Sequence, residues 1–127
     1  MPSRNIADCD SRLQEVWKKA SELYKVAHPD APQPFLTCTY RSDEEQAQLY
    51  AQGRSTSGKI VTNIKKGGKH NLLPSKAFDI AFKKVDGSLD WSTINFKNFA
   101  TIVKRLNTLV KWGGDWKTFK DYPHFEI

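Results

Sequence analysis

Apolar residues fall at Ile6, Cys9, Leu13, Val16, Trp17, Ala20, Leu23, Tyr24 and Ala27, the three-and-four spacing of one buried helix face. This predicts a helix from about Asn5 to Ala27, with Ser3 as its cap. His28-Pro29-Asp30-Ala31-Pro32 ends it, because proline lacks the amide donor and clashes with the preceding turn. A short strand from Phe35 to Tyr40 follows. Ser42 with Glu45 three residues on forms a capping box that opens a short helix through Gln46, Leu49 and Tyr50, which Gly53 can close. Arg41 thereby sits at a strand-to-helix junction. From Arg54 to Lys69 the chain is Gly, Ser, Thr and Lys with little periodicity, a long surface loop of the kind that often carries function.

Ala77 to Phe82 alternates Ala77, Asp79 and Ala81 with Phe78, Ile80 and Phe82, a strand whose aromatic face meets a core while Asp79 points away from it. After a turn at Asp86-Gly87, Phe96, Phe99, Ala100, Val103, Leu106 and Val110 define one face of a helix from about Thr93 to Lys111, ended by Trp112-Gly113-Gly114. Tyr122 to Ile127 reads as a last short strand on which His124 and Glu126 share a face. Helices mixed with short strands give an α+β class with a small sheet.

Length and composition predict one domain over residues 1–127: 127 residues with 39% hydrophobic content build a single modest core, and no linker or repeat divides it. Twenty Lys and Arg against fourteen Asp and Glu give +6, and the pI is near 9.4, so polyanions such as nucleic acid, anionic lipid or wall polymer are favoured partners. The basic residues are scattered in short pairs, Lys18-Lys19, Lys65-Lys66 and Lys83-Lys84, which read as a solubilising surface and select no specific nucleic acid. Cys9 and Cys38 stand far apart without CxxC or Cys/His spacing, so they are expected to be buried thiols rather than a disulfide or a cysteine zinc site. The N-terminal residues lack the apolar run of a signal peptide, and nothing approaches the roughly 18 apolar residues of a membrane span. A soluble protein made in the cytoplasm is expected.

Two of the three histidines, His70 and His124, lie in polar, turn-rich segments rather than on apolar helix faces. A catalytic zinc site takes three protein ligands drawn from His and carboxylate and leaves a fourth position for water, and His70, Asp79 and His124 can supply that set. Pro74 stands between His70 and Asp79, so one continuous helix cannot present both; a loop feeding a strand can. His124 arrives from a separate strand, so a shared ion would clamp the middle of the sheet to the C-terminal segment and add to folding stability.

Several motifs appear in order: Tyr40-Arg41-Ser42 with Gln46, Leu49, Tyr50 and Gly53-Arg54; Lys69-His70-Asn71; Pro74-Ser75-Lys76-Ala77-Phe78-Asp79-Ile80; Trp112-Gly113-Gly114-Asp115-Trp116; and Asp121-Tyr122-Pro123-His124-Phe125-Glu126. Together they resemble the M15 peptidases and, more narrowly, the L-alanyl-D-glutamate endopeptidases used as phage endolysins. The likeness covers nearly everything after Phe35. It implies a small antiparallel sheet flanked by helices, of the Hedgehog/D-Ala-D-Ala-peptidase-like kind. It also implies one catalytic Zn2+ on His70, Asp79 and His124, Asp121 as the catalytic carboxylate, and Arg41 as the group that polarises the scissile carbonyl. Gly68 stands where many relatives carry serine, and the His-to-Asp gap, with Leu72-Leu73-Pro74-Ser75, is the wider one of a phage-type branch.

Glu126 could brace a ligand or Arg41, or form an exposed ion pair; Gln46 and Ser75 could touch substrate or only cap backbone; Trp112 could line a groove or belong to the core. The resemblance further implies bacterial peptidoglycan as substrate and partner, a monomer, and synthesis in the host cytoplasm with release to the wall at lysis by a signal-independent route. Two rivals stay open: a D-alanyl-D-alanine carboxypeptidase or dipeptidase on the same scaffold, and a non-enzymatic basic module that binds wall polymer or nucleic acid.

Overall fold

The computed structural model describes residues 2–127. Helix α1 spans Ser11–Ala27 and is capped by Asp10, whose carboxylate accepts the Arg12 N–H at 2.9 Å. It does not begin at Asn5, and Ser3 is not its cap. Residues Ile6–Asp8 form a separate 3-10 turn capped by Asn5, and the Asp8–Asp10 backbone bonds to Ser75 instead of to the helix, Ser75 N–H donating to Asp8 O at 2.7 Å and Asp10 N–H to Ser75 O at 2.9 Å. Those backbone groups cannot serve two ladders, so the helix starts six residues later than its apolar pattern.

Asp10 also pairs with Arg12 and Lys76, and hydrogen bonds from Arg12, then from Lys76, hold its carboxyl well below the usual carboxylate range. A group depressed on folding stabilises above its unfolded pKa of about 3.9 and loses that contribution as pH falls through its folded value. Asp10→Ala is expected to cost about 1–2 kcal/mol at neutral pH, with the gap to the parent closing progressively below pH of about 4. Urea titrations at both pH values measure it, and an equal gap at each would refute the assignment.

Strand β1 covers Gln33–Cys38 and pairs antiparallel with β2, Ala77–Lys83, with an irregularity between Leu36 and Cys38. The expected capping box is present, with Glu45 N–H on Ser42 Oγ and Ser42 N–H on Glu45 Oε1, and opens α2 over Asp43–Ala51. Gly53 then turns the chain at φ +80°, where a Cβ would stand 2.8 Å from Ile60. Residues 54–68 form no helix or strand.

Helix α3 runs Thr93–Leu106, shorter than its apolar pattern suggests. Asn107 leaves the helix in an extended conformation, and its side-chain oxygen accepts the Leu109 N–H at 2.9 Å, closing a local turn that competes with another helical turn. Val110 is buried as expected, but from that turn. Lys111–Trp112 then forms strand β3 rather than a helix end, because it pairs with β4, His124–Glu126. The sheet order is β1-β2-β4-β3, all neighbours antiparallel.

α1 and α3 pack together and cover one face of the sheet, enclosing Phe78, Ile80 and Phe82 of β2 and Phe125 of β4. Phe99 is the hub: fully buried, its ring meets Trp17, Tyr24, Phe82 and Phe125 at 5.5–6.4 Å between centroids. Phe99→Ala is expected to lose about 3–5 kcal/mol in chemical denaturation, transfer free energy plus an unfilled cavity; a loss below about 1 kcal/mol would show that the core collapses freely around it.

Candidate active site

β2 and β4 lie side by side with Asp79 and His124 as direct cross-strand partners, so their side chains share one face of the sheet, opposite the aromatic core. His70 comes to the same spot on a 3-10 turn, Lys69–Asn71, held by Asn71 Oδ1 accepting the Gly68 N–H at 2.9 Å. One backbone and one side-chain bond tie that turn to the residues before α2: Arg41 N–H donates to His70 O at 2.9 Å, and Asn71 Nδ2 donates to Arg41 O at 2.8 Å.

The outer hydrogen bonds set the tautomers. Nδ1 of His70 lies 2.8 Å from the Thr39 carbonyl, which can only accept, so Nδ1 carries the hydrogen and Nε2 presents its lone pair to Asp79 Oδ1 at 3.1 Å. Ser75 Oγ donates to the same Thr39 carbonyl at 2.9 Å. On the other side Nε2 of His124 donates to Glu126 Oε1 at 2.8 Å, which turns the Nδ1 lone pair to the same Asp79 oxygen at 3.1 Å. The two imidazoles thus face the same carboxylate oxygen from either side. Lone pairs repel one another unless positive charge sits among them, either as protons or as a metal ion.

Electrostatics agree. Burial disfavours the His70 imidazolium, but the neighbouring Asp79 carboxylate outweighs it and raises the pKa to about 10. His124 follows the same pattern, burial opposed by Asp79 and Glu126, and reaches about 9. Burial pushes Asp79 upward, and the two histidines overcome that to hold it well below the usual carboxylate range. The donor chemistry, two oriented imidazoles and one carboxylate each braced from behind, fits a divalent cation of the zinc type.

Arg41 stands just beyond β1, with Nη1 donating to Gln46 Oε1 at 2.9 Å, Nη2 to Cys38 Sγ at 3.4 Å, and Asp79 Oδ2 3.9 Å from Nη2. Asp121 faces the same space from the turn before β4; burial, and next the Asp79 charge, raise its pKa above that of an ordinary carboxylate. Among the described residues its carboxylate makes no hydrogen bond or ion pair. These groups open into a cleft of about 420 Å³ whose lining also includes Leu49, Val61, Ile64, Trp116 and Phe119.

The structure therefore brings together His70, Asp79, His124, Asp121, Arg41, Gln46 and Glu126. Of the roles open to Glu126, it takes that of bracing the candidate ligand His124, not Arg41. Ser75 and Trp112 do not line the cleft. Ser75 is fully buried, with its hydroxyl engaged by backbone carbonyls and an amide, so it cannot touch substrate. Trp112 is buried behind the turn that carries Asp121, its indole N–H on Tyr122 O.

Cys38 is the residue the sequence left out. Both cysteines are free and buried as expected, but the donor atoms of Cys38, His70 and Asp79 all lie within 4.8 Å of one another. No cysteine spacing announces this; it comes from Cys38 pairing opposite Asp79 across β1 and β2. Its sulfur faces the already committed Nδ1 of His70, at 3.7 Å, and accepts from Arg41. Cys38 is thereby a hydrogen-bond acceptor for the Arg41 guanidinium.

A family model for M15 peptidases, described as D-alanyl-D-alanine carboxypeptidase, matches residues 7–127. The chain is 43% identical over 125 residues to the peptidoglycan L-alanyl-D-glutamate endopeptidase CwlK of Bacillus subtilis (strain 168), a match covering 92% of this chain and 74% of that protein. In three dimensions it matches the crystal structure of the Serratia marcescens L-Ala D-Glu endopeptidase ChiX with a TM-score of 0.74 at 22% identity, covering 100% of this chain and 88% of that one. The structural likeness speaks for the fold, the two sequence likenesses for descent.

Proposed function

Because the chain belongs to the M15 family of peptidases, we propose that it is a zinc-dependent endopeptidase cleaving the L-alanyl-D-glutamate bond of peptidoglycan stem peptides. The observation that carries the chemistry is that His70 Nε2 and His124 Nδ1 both face Asp79 Oδ1 at 3.1 Å, each imidazole turned by an outer acceptor. The 43% identity to a relative named for that bond supports the substrate.

His70 Nε2, His124 Nδ1 and an Asp79 oxygen would hold the ion. When bound, zinc acts as a Lewis acid on the scissile carbonyl and lowers the pKa of water from 15.7 to about 7. Asp121 takes the proton of the attacking water and passes it to the departing amine; its raised pKa and free carboxylate suit both halves of that transfer. Arg41 sets fixed positive charge beside the reacting carbonyl, where the tetrahedral oxyanion develops. Gln46 Oε1 and Cys38 Sγ keep the guanidinium from swinging onto Asp79. Trp116 and Phe119 add apolar surface to the same cleft.

The same reading gives the enzyme a lytic role as a phage endolysin, made in the host cytoplasm, acting as a monomer and reaching the wall when the inner membrane is permeabilised. Among the described residues no helix is long and apolar enough to cross a membrane. The description of the matching family model favours one alternative, removal of terminal D-alanine on the same scaffold. Mass spectrometry of digested muropeptides, with elemental analysis of the purified protein, separates them. Free L-alanyl ends with about one zinc per chain are expected; loss of D-alanine alone would replace the proposed bond.

A further inference from the structure

Trp112 and Gly113 lie outside the cleft, yet they grip the backbone on both sides of Asp121. Gly113 O accepts the Asp121 N–H at 3.1 Å. One residue on, the Trp112 indole N–H donates to Tyr122 O at 2.7 Å, and the two rings stand 5.9 Å apart. Position 113 has no room for a side chain, since a Cβ there would fall 2.2 Å from the Asp121 carbonyl oxygen and 3.1 Å from Asp121 Cβ. That oxygen is itself committed to the His124 N–H at 3.1 Å. The Asp121 backbone therefore cannot give way without loosening the turn into β4.

The gripping residues are fixed in turn. Trp112 pairs with Phe125 across β3 and β4, and its indole lies so close over Gly114 that a Cβ there would come within 2.3 Å of Cζ2. The Lys120 ammonium closes the far end of the loop on Gly114 O at 3.1 Å. Among the described residues the Asp121 carboxylate thus has no hydrogen bond or ion pair of its own, while its backbone is bonded on both sides.

We propose that Trp112 and Gly113 are positioning residues for the Asp121 carboxylate, fixing through the backbone where the proton acceptor stands while touching neither substrate nor metal ligand. The proposal rests on the reading of Asp121 as the base. A displacement of about 1 Å at a reacting group can cost 10²-fold in rate, so a bracket of this kind is visible in kcat. It also explains why a tryptophan and two consecutive glycines, Gly113 and Gly114, occur beside a site they do not line.

The test is a double-mutant cycle on the zinc-loaded enzyme. Trp112→Phe keeps a ring in place and deletes only the indole N–H. It is expected to retain metal stoichiometry and KM on a purified muropeptide while kcat falls at least about fivefold; Gly113→Ala is expected to lose about 10²-fold. In an Asp121→Asn background Trp112→Phe should cost nothing further, because the group it positions is gone. An unchanged kcat for Trp112→Phe, an additive loss in the Asp121→Asn background, or loss of metal alongside kcat would each overturn the proposal. Should Gly113→Ala fail to fold, Trp112→Phe and the cycle decide alone. If Asp121→Asn by itself leaves kcat unchanged, the reading of Asp121 fails and the bracket with it; if Asp121→Asn is slow and Trp112→Phe is not, only the bracket fails.

Discussion

Asp121→Asn will keep the fold and the metal and lose about 10²–10⁴-fold in turnover, the range set by general acid–base catalysis. The substitution preserves shape and removes only the capacity to accept a proton. Metal retention is expected because the Asp121 carboxylate, among the described residues, bonds to none of His70, Asp79 or His124. The pH profile carries a second signature. Burial, then the Asp79 charge, raise the Asp121 pKa, partly offset by His124, His70 and Arg41. A base works only when deprotonated, so kcat/KM should fall as the solution is acidified through the Asp121 pKa. In Asp121→Asn that limb should vanish along with the rate. Wild-type turnover by the variant, or an unchanged acid limb at reduced rate, would take Asp121 out of the mechanism.

What the sequence disclosed about this site is mostly what local rules govern. The Ser42 and Glu45 capping box is written within four residues and forms as read, which places Arg41 at the mouth of α2. The alternation of β2 put Asp79 off the aromatic face, and His124 lies directly across from it. The misreadings are those in which a distant partner outbids a local signal. Ser3 lost the helix cap to Asp10 because Ser75, far along the chain, takes the Asp8 and Asp10 backbone groups. The apolar pattern of α3 continued to Val110, but pairing of Trp112 with Phe125 drew the following residues into the sheet. Cys38 reached Asp79 through a strand register that no spacing rule encodes. Ser75 and Trp112 were legible as important and illegible as to role, since burial behind the cleft depends on how the whole sheet closes.

Removal of the metal should abolish turnover and also destabilise the protein, by an amount that grows with pH. In the metal-free protein His70 and His124 have folded pKa values of about 10 and about 9, above the unfolded value of about 6.5. A group raised on folding contributes stability that is fully present below its unfolded pKa and lost as pH rises through the folded one. Protons therefore stand in for the cation between the imidazoles and Asp79 in acid and leave it as pH climbs towards 9 and 10. Across that window the three donors are left with nothing between them, and a metal ion has most to offer. The melting temperature of chelator-treated protein should accordingly drop further below that of the zinc-loaded form at pH of about 9 than at pH of about 6, with zinc restoring both stability and activity. Asp79→Ala should remove this dependence, since without the carboxylate neither proton nor cation is held, and turnover should fall to background. A chelator that leaves activity intact, or an equal thermal shift at both pH values, would mean that His70, Asp79 and His124 do not share an ion.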